Sequence, residues 1–388
     1  MSDLDSMGDL VAIAEQFASI GRVIEINPLG EGNINHTFLV KLETAKSESK
    51  ELSYFVLQQI NTQVFAQPKL IMDNLQIFND HLQQKLARLN SDLSSKFSPG
   101  FNPNWQTPQV LATKSQSNYY LDSNNNFWRA LSFVTNASSF NTIQGMNHAR
   151  EIGLGLGTFH SLISDLNVDK LADTLPGFHI TPQYFEQYQA IASQHSKPKT
   201  PELDYCQQFI QARIEIIPVL ENAKNQAILP LRAIHGDPKI NNIMIDNRDH
   251  KAIAMVDLDT IKPGLIHYDL GDCLRSGCNV LGEETSNWQE VKFDLQLAKE
   301  ILQGYLQVAQ NFLQTQELDY IYESIRLITF ELGLRFFSDY LNNDIYFKSK
   351  YPQHNLQRAL VQFQLTKSIE SQAGEIRHLI RDLEKQFT

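Results

Sequence analysis

A polar loop followed by a short β-hairpin lies in the second half of the chain, and few folds accommodate this combination. The loop has the sequence IHGDPKINN (residues 234–242), and the apolar runs NIMID and KAIAMVD follow it on either side of a charged turn. Short apolar runs that flank turn-forming residues predict a β-hairpin. A hairpin brings its two ends together, so we expect Asn242 and Asp257 to be neighbours.

The same segment holds the residue types that phosphoryl transfer needs. Asn242 lies five residues after Asp237, and Asp257 ends the second apolar run. A carboxylate and an amide oxygen suit Mg²⁺, which prefers hard oxygen ligands, and a further carboxylate can orient or deprotonate an attacking hydroxyl. Kinases have this arrangement. We therefore expect Asp237 to act on the hydroxyl and Asn242 and Asp257 to hold Mg²⁺.

Three neighbouring residues are further candidates. Asp259 lies two positions after Asp257 and is expected on the same strand face, where it could hold a second metal ion. Lys239 is expected to neutralise the transferring phosphoryl group, and His235 is expected to bind backbone groups rather than act as an acid or base. Taken singly, such residues also occur in turns and solvated strand ends. The hypothesis therefore depends on their occurring together.

The hydrophobic period of the chain changes near residue 135. Before this point, strands are predicted by five runs: GRVIEINPL, HTFLVKLET, LSYFVLQQI, QVLATK and NNFWRALSFV. After it, a helical period occurs in NHAREIGLGLGTFHSLISDL and in most of residues 183–225 and 283–388. We predict an α+β, bilobal, protein-kinase-like fold. Residues 1–134 form a small antiparallel N-terminal lobe, and residues 135–388 form a larger helical lobe with the catalytic hairpin and the acceptor pocket. Such a plan leaves a cleft for ligands.

Candidate nucleotide-binding residues lie in the N-terminal lobe. The loop PLGEGNIN (residues 28–35) lies between two predicted strands, and there Gly30 and Gly32 would face phosphate; a plain hairpin turn would look the same. Asn33 in this loop could reach either phosphate or sugar. A kinase-like third strand should carry a lysine, but this chain has Gln58 in that place, and a neutral amide supplies no charge. Either Mg²⁺ and Lys239 handle the phosphate charge or nucleotide binding is weak. Phe133 lies at the predicted hinge and completes the set.

Composition excludes several classes of protein. Of the 388 residues 42% are apolar and 20% charged, as in ordinary globular proteins. The formal net charge of −11 disfavours nucleic acid and anionic membranes as partners. No apolar run approaches the length of a membrane span, and the acidic N-terminal sequence is unlike a signal peptide. The chain has only three cysteines, so we expect reduced thiols and a cytoplasmic location.

The motifs resemble those of the aminoglycoside phosphotransferase and choline kinase superfamily. This resemblance is carried by the motifs HGDPKINN, VDLDTIKPG and HYDLGD. Five further segments are most similar to the N-acetylhexosamine 1-kinases: GEGNINHTFLV, VLQQINTQVF, WRALSFV, LPGFHITPQYF and ELGLRFFSDYLNNDIYFK. The resemblance implies transfer of the γ-phosphate of ATP, with Mg²⁺, to the anomeric hydroxyl of N-acetylglucosamine or N-acetylgalactosamine. It includes the strand that holds Gln58, so it implies that the missing lysine is a trait of this family.

The resemblance also implies residues for the acceptor. Arg335 and Tyr346 match positions at which the 1-kinases contact their sugar. A lone cation among apolar residues must be paired or face a cleft, so a structural pair that closes the C-terminal lobe is the alternative. Asp269 and Asp272, in YDLGD, are expected to brace the catalytic loop and cap a helix rather than to touch substrate.

Two other functions stay open at this point. The first is the same chemistry on an aminoglycoside, choline, homoserine or another sugar; aromatic residues and Arg358 in the C-terminal helices favour a neutral sugar. The second is a nucleotide-binding or sugar-binding regulator without catalysis, which the missing lysine suggests. The sequence predicts a small-molecule acceptor but neither the oligomeric state nor a preference between ATP and GTP.

Overall fold

The computed structural model describes residues 3–18, 21–30, 34–46, 49–91 and 102–387. The chain divides into two compact units. The first comprises residues 1–80 and 106–135, and the second comprises residues 81–105 and 136–388. The domain boundary after residue 134 stays a prediction.

An antiparallel sheet forms the first unit. Its strand order is β1-β2-β3-β6-β4, and β5 pairs with β6. The antiparallel sheet that the sequence predicts is thereby confirmed. The elements are α1 (Asp3–Phe17), β1 (Arg22–Pro28), β2 (His36–Lys46), β3 (Ser49–Ile60), α2 (Pro68–Ser91, which continues into the second unit), β4 (Val110–Leu111), β5 (Tyr120–Leu121) and β6 (Phe127–Ser132).

The two faces of this sheet carry different residues. One face packs against α1 in an apolar cluster that includes Phe17, Leu57 and Trp128. Successive side chains of a strand point to opposite faces. Gln58 of β3 and Arg129 of β6, which are paired in the sheet register, therefore lie on the other face.

The second unit is mainly helical, and it contains a three-stranded antiparallel sheet in the order β10-β9-β7 and a two-stranded sheet of β8 and β11. The hairpin predicted after residue 242 is confirmed as β9 and β10, and the α+β fold class is confirmed with it. The elements are β7 (Ala137–Ser138), α3 (Met146–Ile163), α4 (Thr181–Ala192), α5 (Pro201–Gln211), α6 (Val219–Asn225), β8 (Arg232–Ile234), β9 (Ile243–Asp246), β10 (Ala252–Met255), β11 (Lys262–Gly264), α7 (Ile266–Gly277), α8 (Leu295–Ala309), α9 (Thr315–Leu318), α10 (Ile321–Leu341), α11 (His354–Ser371) and α12 (Ala373–Phe387).

Glycines allow two helices of this unit to approach closely. A Cβ on Gly153 of α3 would lie 1.9 Å from the carbonyl oxygen of Ile301 in α8, and a Cβ on Gly304 of α8 would lie 2.2 Å from the carbonyl oxygen of Arg150 in α3. Glycine costs a helix about 1 kcal/mol relative to alanine. Here the close packing of two buried helices offsets that cost, which explains the glycines in a segment with helical period.

No helix in the described ranges has both the length and the apolar character that a bilayer span requires. The three cysteines, Cys206, Cys273 and Cys278, are buried free thiols. The expectation of reduced thiols agrees with this and stays a prediction.

Candidate active site

The loop between β8 and β9 holds the central residues of the site. It runs from His235 to Lys239, and one turn of 3-10 helix at Ile240–Asn242 follows. Gly236 has a φ of +87°, and a Cβ there would lie 2.7 Å from the carbonyl oxygen of Thr260. Only glycine combines this conformation with so close an approach. We call residues 235–239 the catalytic loop.

A buried carboxylate of α7 braces this loop. Asp269 accepts hydrogen bonds from the backbone N–H groups of His235 at 2.7 Å and Gly236 at 2.8 Å, and its Oδ2 lies 2.8 Å from Nε2 of His160. Burial opposes ionisation, but the hydrogen bond and charge of His160 hold the pKa of Asp269 below its ordinary value. The predicted bracing role of Asp269 is confirmed.

His235 also has a structural role. Its Nδ1 accepts a hydrogen bond from the N–H of Asp237 at 3.2 Å, so its Nε2 carries the proton and donates to the carbonyl of Val256 at 3.0 Å. The ring is fully buried, and burial lowers its pKa. His235 is therefore a neutral link between the catalytic loop and the end of β10, as the sequence predicts.

Asp237 and Lys239 form an ion pair that solvent reaches. Oδ2 of Asp237 lies 3.1 Å from Nζ of Lys239, and about a third of each side chain is exposed (31% and 33%). The charge of Asp237 raises the pKa of Lys239 above its ordinary value, and Asp257 adds to this effect. The pair presents a carboxylate that can accept a hydroxyl proton beside a fixed positive charge.

Asn242 is held in an orientation that suits a metal ligand. Its Nδ2 donates to the backbone carbonyl of Asp237 at 2.7 Å. Within the described ranges its side chain makes no other hydrogen bond, so the amide oxygen is available for a cation. No cluster of three His, Cys, Asp or Glu side chains suited to a metal occurs among the described residues. A magnesium ion here would depend on this amide, on Asp257 and on phosphate or water oxygens, which is a donor set that Mg²⁺ accepts.

The structure corrects the predicted position of the two aspartates after β10. Strand β10 ends at Met255, Asp257 adopts a left-handed conformation (φ 64°, ψ 54°), and Leu258–Thr260 forms a turn of 3-10 helix. Asp257 and Asp259 therefore do not share a strand face. Asp257 is exposed, whereas Asp259 is buried. A left-handed aspartate costs backbone free energy, and such strain is concentrated at functional sites.

The place of the missing lysine is occupied by a glutamine and an arginine together. Oε1 of Gln58 accepts hydrogen bonds from Nε of Arg129 at 3.0 Å and from its NH2 group at 2.7 Å, and Nε2 of Gln58 donates to Thr37 at 3.1 Å. Arg129 is 1% exposed. A positive charge is thus present on this face of the sheet, one strand away from the expected position.

The remaining candidate nucleotide residues lie in the same unit. Gly30 follows β1 with a φ of +73°, and Gly32 and Asn33 lie outside the described residues. Phe133 directly follows β6, and its ring centroid lies 5.9 Å from that of Tyr54. The described part of the glycine loop is the end of a hairpin, because Pro28 pairs with Phe38 across β1 and β2.

Arg335 of α10 lies among four aromatic rings. Its guanidinium carbon lies 4.9 Å from the ring centroid of Tyr184, 5.0 Å from that of Phe178, 5.4 Å from that of Phe347 and 5.9 Å from that of Tyr346. No carboxylate in the described ranges pairs with it. Aromatic faces stabilise a cation but leave its N–H donors available for a ligand.

The loop that carries Tyr346 is fixed by a buried aspartate. Asp339 accepts hydrogen bonds from the backbone N–H groups of Tyr346 at 2.8 Å and Phe347 at 2.9 Å, and Nδ2 of Asn355 donates to it at 3.1 Å. Burial raises the pKa of Asp339. The loop therefore holds two of the rings around Arg335, and Tyr346 keeps 40% of its surface exposed. We call Arg335 and its four rings the arginine pocket.

One sequence expectation for the second unit is wrong. Asp269 and Asp272 lie inside α7, whose N-cap is Leu265, so neither caps the helix; Asp272 instead pairs with Arg275 at 2.8 Å. Arg358 is not in contact with the four rings around Arg335, but its guanidinium lies 5.3 Å from the ring of Phe336. Arg358 is buried against Glu284 and donates to the side chain of Asn355 at 3.1 Å.

Sequence reasoning does not identify Arg129, His179 and Glu331 as candidates for the site. Arg129 had a visible signal, a lone cation in a buried strand. His179 and Glu331 lie far apart in the chain, and their ion pair at 3.0 Å depends on tertiary structure alone.

Comparisons with known proteins identify the family and the fold. Residues 25–310 match the model of the APH family, described as a phosphotransferase enzyme family. A choline kinase from Cryptosporidium parvum superposes with a TM-score of 0.58 at 14% identity, over 98% of this chain and 99% of that one. The GDP complex of aminoglycoside 2'-phosphotransferase-IIIa superposes with a TM-score of 0.55 at 14% identity, over 94% and 99%. An aminoglycoside phosphotransferase from Alicyclobacillus acidocaldarius superposes with a TM-score of 0.54 at 15% identity, over 97% and 95%.

Proposed function

Because the chain belongs to the APH phosphotransferase family, we propose that it is a kinase that transfers the γ-phosphate of ATP, with Mg²⁺, to the anomeric hydroxyl of an N-acetylhexosamine. The observation that carries this proposal is the catalytic loop. It presents Asp237 to solvent beside Lys239, and the side-chain amide of Asn242 donates a hydrogen bond to the backbone carbonyl of Asp237. Positioned groups of this kind supply most of the catalysis in phosphoryl transfer.

In the proposed reaction Asp237 orients the acceptor hydroxyl and takes its proton. The oxygen–phosphorus bond to the acceptor forms as the bond between the γ-phosphorus and the bridging oxygen of ADP breaks. Lys239 places a positive charge beside the transferring group. Mg²⁺, when bound, would neutralise phosphate oxygens, and Asn242 and Asp257 would hold it.

The first unit supplies the nucleotide site in this proposal. Gly30, Gly32 and Asn33 would face the phosphates, and Phe133 the base. In place of the absent lysine, Arg129 supplies the positive charge, and it acts on the phosphates through the two hydrogen bonds that it donates to Gln58. These bonds polarise the Gln58 amide and strengthen it as a hydrogen-bond donor.

The arginine pocket favours a neutral acceptor. Arg335 forms no ion pair in the described ranges, so its N–H groups can donate to the hydroxyl or acyl oxygens of an N-acetylated sugar, and its positive charge disfavours a cationic group such as that of choline at the same place. Aromatic rings pack against sugar rings and exclude water. Arg335 and Tyr346 are therefore the proposed contacts of the sugar.

ADP release with Mg-ATP tests the proposal. The acceptor panel is N-acetylglucosamine, N-acetylgalactosamine, glucose, galactose, choline, homoserine and kanamycin. We expect release with the N-acetylhexosamines, and Asp237→Asn should abolish it while Mg-ATP still binds in calorimetry. Asp249→Asn is the matched control, because Asp249 is an exposed aspartate in the turn of the same hairpin; its activity should stay near that of wild type.

Three outcomes would contradict parts of the proposal. Release of ADP with choline or kanamycin alone would support the phosphotransferase activity but contradict the assignment of a sugar as the acceptor. Turnover by Asp237→Asn near the wild-type rate would contradict the proposal that Asp237 orients and deprotonates the acceptor hydroxyl. Binding of Mg-ATP without release for any acceptor would favour a nucleotide-binding regulator, a function that the glutamine in the lysine position also suggests.

A further inference from the structure

His179 connects the arginine pocket with the catalytic loop. It lies directly after Phe178, whose ring faces Arg335, and two residues before the start of α4. It is 4% exposed and adopts a φ of +67°. A histidine in the left-handed region costs free energy and persists only where its surroundings fix it.

Both ring nitrogens of His179 have acceptors as partners. Nε2 donates to the carbonyl of Gly236 at 2.7 Å, and a carbonyl can only accept, so Nε2 carries a proton. Nδ1 lies 3.0 Å from Oε1 of Glu331, and the other carboxylate oxygen of Glu331 accepts the hydroxyl of Thr181 at 2.6 Å. The geometry is that of an imidazolium that donates twice and of a buried carboxylate that accepts twice.

Charged and titratable groups from several elements act on the ring. Burial alone would lower the pKa of His179, but Glu331 raises it above its ordinary value and Asp272 adds to this effect. Glu331 itself is held ionised, since His179, Arg335 and Thr181 outweigh its burial and lower its pKa. The groups that face the pair are Glu331 and Arg335 of α10, Asp272 of α7, Tyr268 of α7, whose ring stacks at 5.3 Å, and Tyr184 of α4.

We propose that His179 is a positioning residue for phosphoryl transfer, which holds the Gly236 carbonyl and so fixes the orientation of Asp237. Asp269 fixes the N–H of Gly236, and His179 fixes its carbonyl. The two bonds together fix the orientation of the peptide groups on either side of Gly236, and therefore the direction of the backbone at Asp237. This inference rests on the proposed function, because it assigns His179 a role in placing the group that receives the hydroxyl proton.

The pH dependence follows from the sign of the pKa shift. A histidine with a raised folded-state pKa contributes fully below its ordinary value of about 6.5 and loses its contribution as the pH rises through the folded-state pKa. Above that pH, Nδ1 presents a lone pair to the Glu331 carboxylate, and the repulsion between the two displaces the ring and weakens the bond from Nε2 to the Gly236 carbonyl. We therefore expect kcat to fall at alkaline pH as His179 loses its proton.

Two variants separate the two hydrogen bonds of the ring. In His179→Gln the amide nitrogen can replace Nε2 and reach Gly236 without titrating, so kcat should be partly retained and the alkaline limb should disappear. In His179→Asn the shorter amide can replace Nδ1 only. Its kcat should fall about tenfold or more, as expected for the loss of a hydrogen bond from a charged group, with the KM for ATP unchanged.

His267→Gln is the matched control. His267 is a buried histidine of α7 with one backbone hydrogen bond, to Glu317. It should leave the pH profile unchanged. Thermal unfolding shows that each variant is folded before kinetics are compared.

Two readouts keep the inference testable if no acceptor is turned over. In protein with ¹⁵N-labelled histidine, both ring nitrogens of His179 should be protonated at pH 7, with the signals identified by their loss in His179→Gln. Backbone hydrogen exchange of peptides covering residues 234–242 should be about tenfold faster in His179→Asn. A neutral ring, or unchanged exchange in a folded His179→Asn, would overturn the inference. Absence of turnover with the expected ring state and exchange would refute only the proposed function.

Discussion

Replacing Asp269 with asparagine should show how much of the molecule's stability is concentrated at the catalytic loop. The carboxylate is fully buried and accepts hydrogen bonds from two consecutive backbone N–H groups, while His160 meets it from a third direction. An asparagine has one acceptor oxygen and one NH₂ group. At least one buried donor of the loop would then face another donor.

The magnitude follows from the number of bonds lost. A hydrogen bond to a charged group contributes about 1.5–3 kcal/mol, and an orphaned buried donor costs about 1–3 kcal/mol more. Removing one partner of a buried ion pair costs about 3–5 kcal/mol. We expect Asp269→Asn to lower the free energy of unfolding by about 4 kcal/mol, which is roughly 8 °C in Tm at ~2 °C per kcal/mol. The kcat should fall as well, because the loop positions Asp237.

Thermal and urea unfolding measure this difference, and Asp294→Asn is the matched control. Asp294 caps α8 and also accepts two backbone N–H groups, from Gln296 and Leu297, but at a partly exposed helix end where asparagine caps equally well. The control should change stability by less than about 0.5 kcal/mol. An Asp269→Asn protein as stable as this control would refute the reasoning.

The effect of Asp269 should also depend on pH with a definite sign. A carboxyl group whose folded-state pKa is lowered contributes stability above its ordinary value of about 3.9 and loses it as the pH falls through the folded-state pKa. The difference between wild type and Asp269→Asn should therefore narrow below about pH 4. A constant difference from pH 7 to pH 3 would contradict this assignment.

Two further substitutions test the other parts of the site. Gln58→Lys restores the kinase-like lysine but places an ammonium group next to the positive charge of Arg129. We therefore expect a lower Tm and a weaker affinity for Mg-ATP in calorimetry. Tighter binding would show that Arg129 does not supply the positive charge for the phosphates. Asp339→Asn removes an acceptor for the backbone N–H of Tyr346 or Phe347, so we expect the KM of the acceptor to rise several-fold with the KM for ATP unchanged; an unchanged acceptor KM would separate this loop from the acceptor site.

The sequence predicts the parts of the fold that depend on local pattern. Strand alternation and turn residues predicted the antiparallel sheet and the β9–β10 hairpin. The same pattern predicted that Asn242 and the segment at Asp257 are neighbours, and the backbone hydrogen bond from Val256 to Asn242 agrees with this. The role of His235 followed from the same local reasoning.

The parts that the sequence does not predict depend on contacts between distant segments or on rare backbone conformations. The left-handed Asp257 and the 3-10 turn after it have the same composition as a strand end, so Asp257 and Asp259 were expected on one face. The role of Arg358 depends on Glu284, which lies in an irregular segment before α8. The pairing of Arg129 with Gln58 depends on the register between β3 and β6.

The catalytic loop takes its shape from residues that its motif does not contain. Asp269 of α7 and His179, which precedes α4, hold the two sides of Gly236, while Thr260 donates to the carbonyl of His235 at 2.8 Å. Several elements thus determine the positions of the same few peptide groups, and the glycine permits the backbone conformation that these contacts require. The motif therefore specifies which groups react, and the surrounding helices specify where those groups lie. Substitutions outside the motif should consequently alter kcat in proportion to the hydrogen bonds that they remove from the loop.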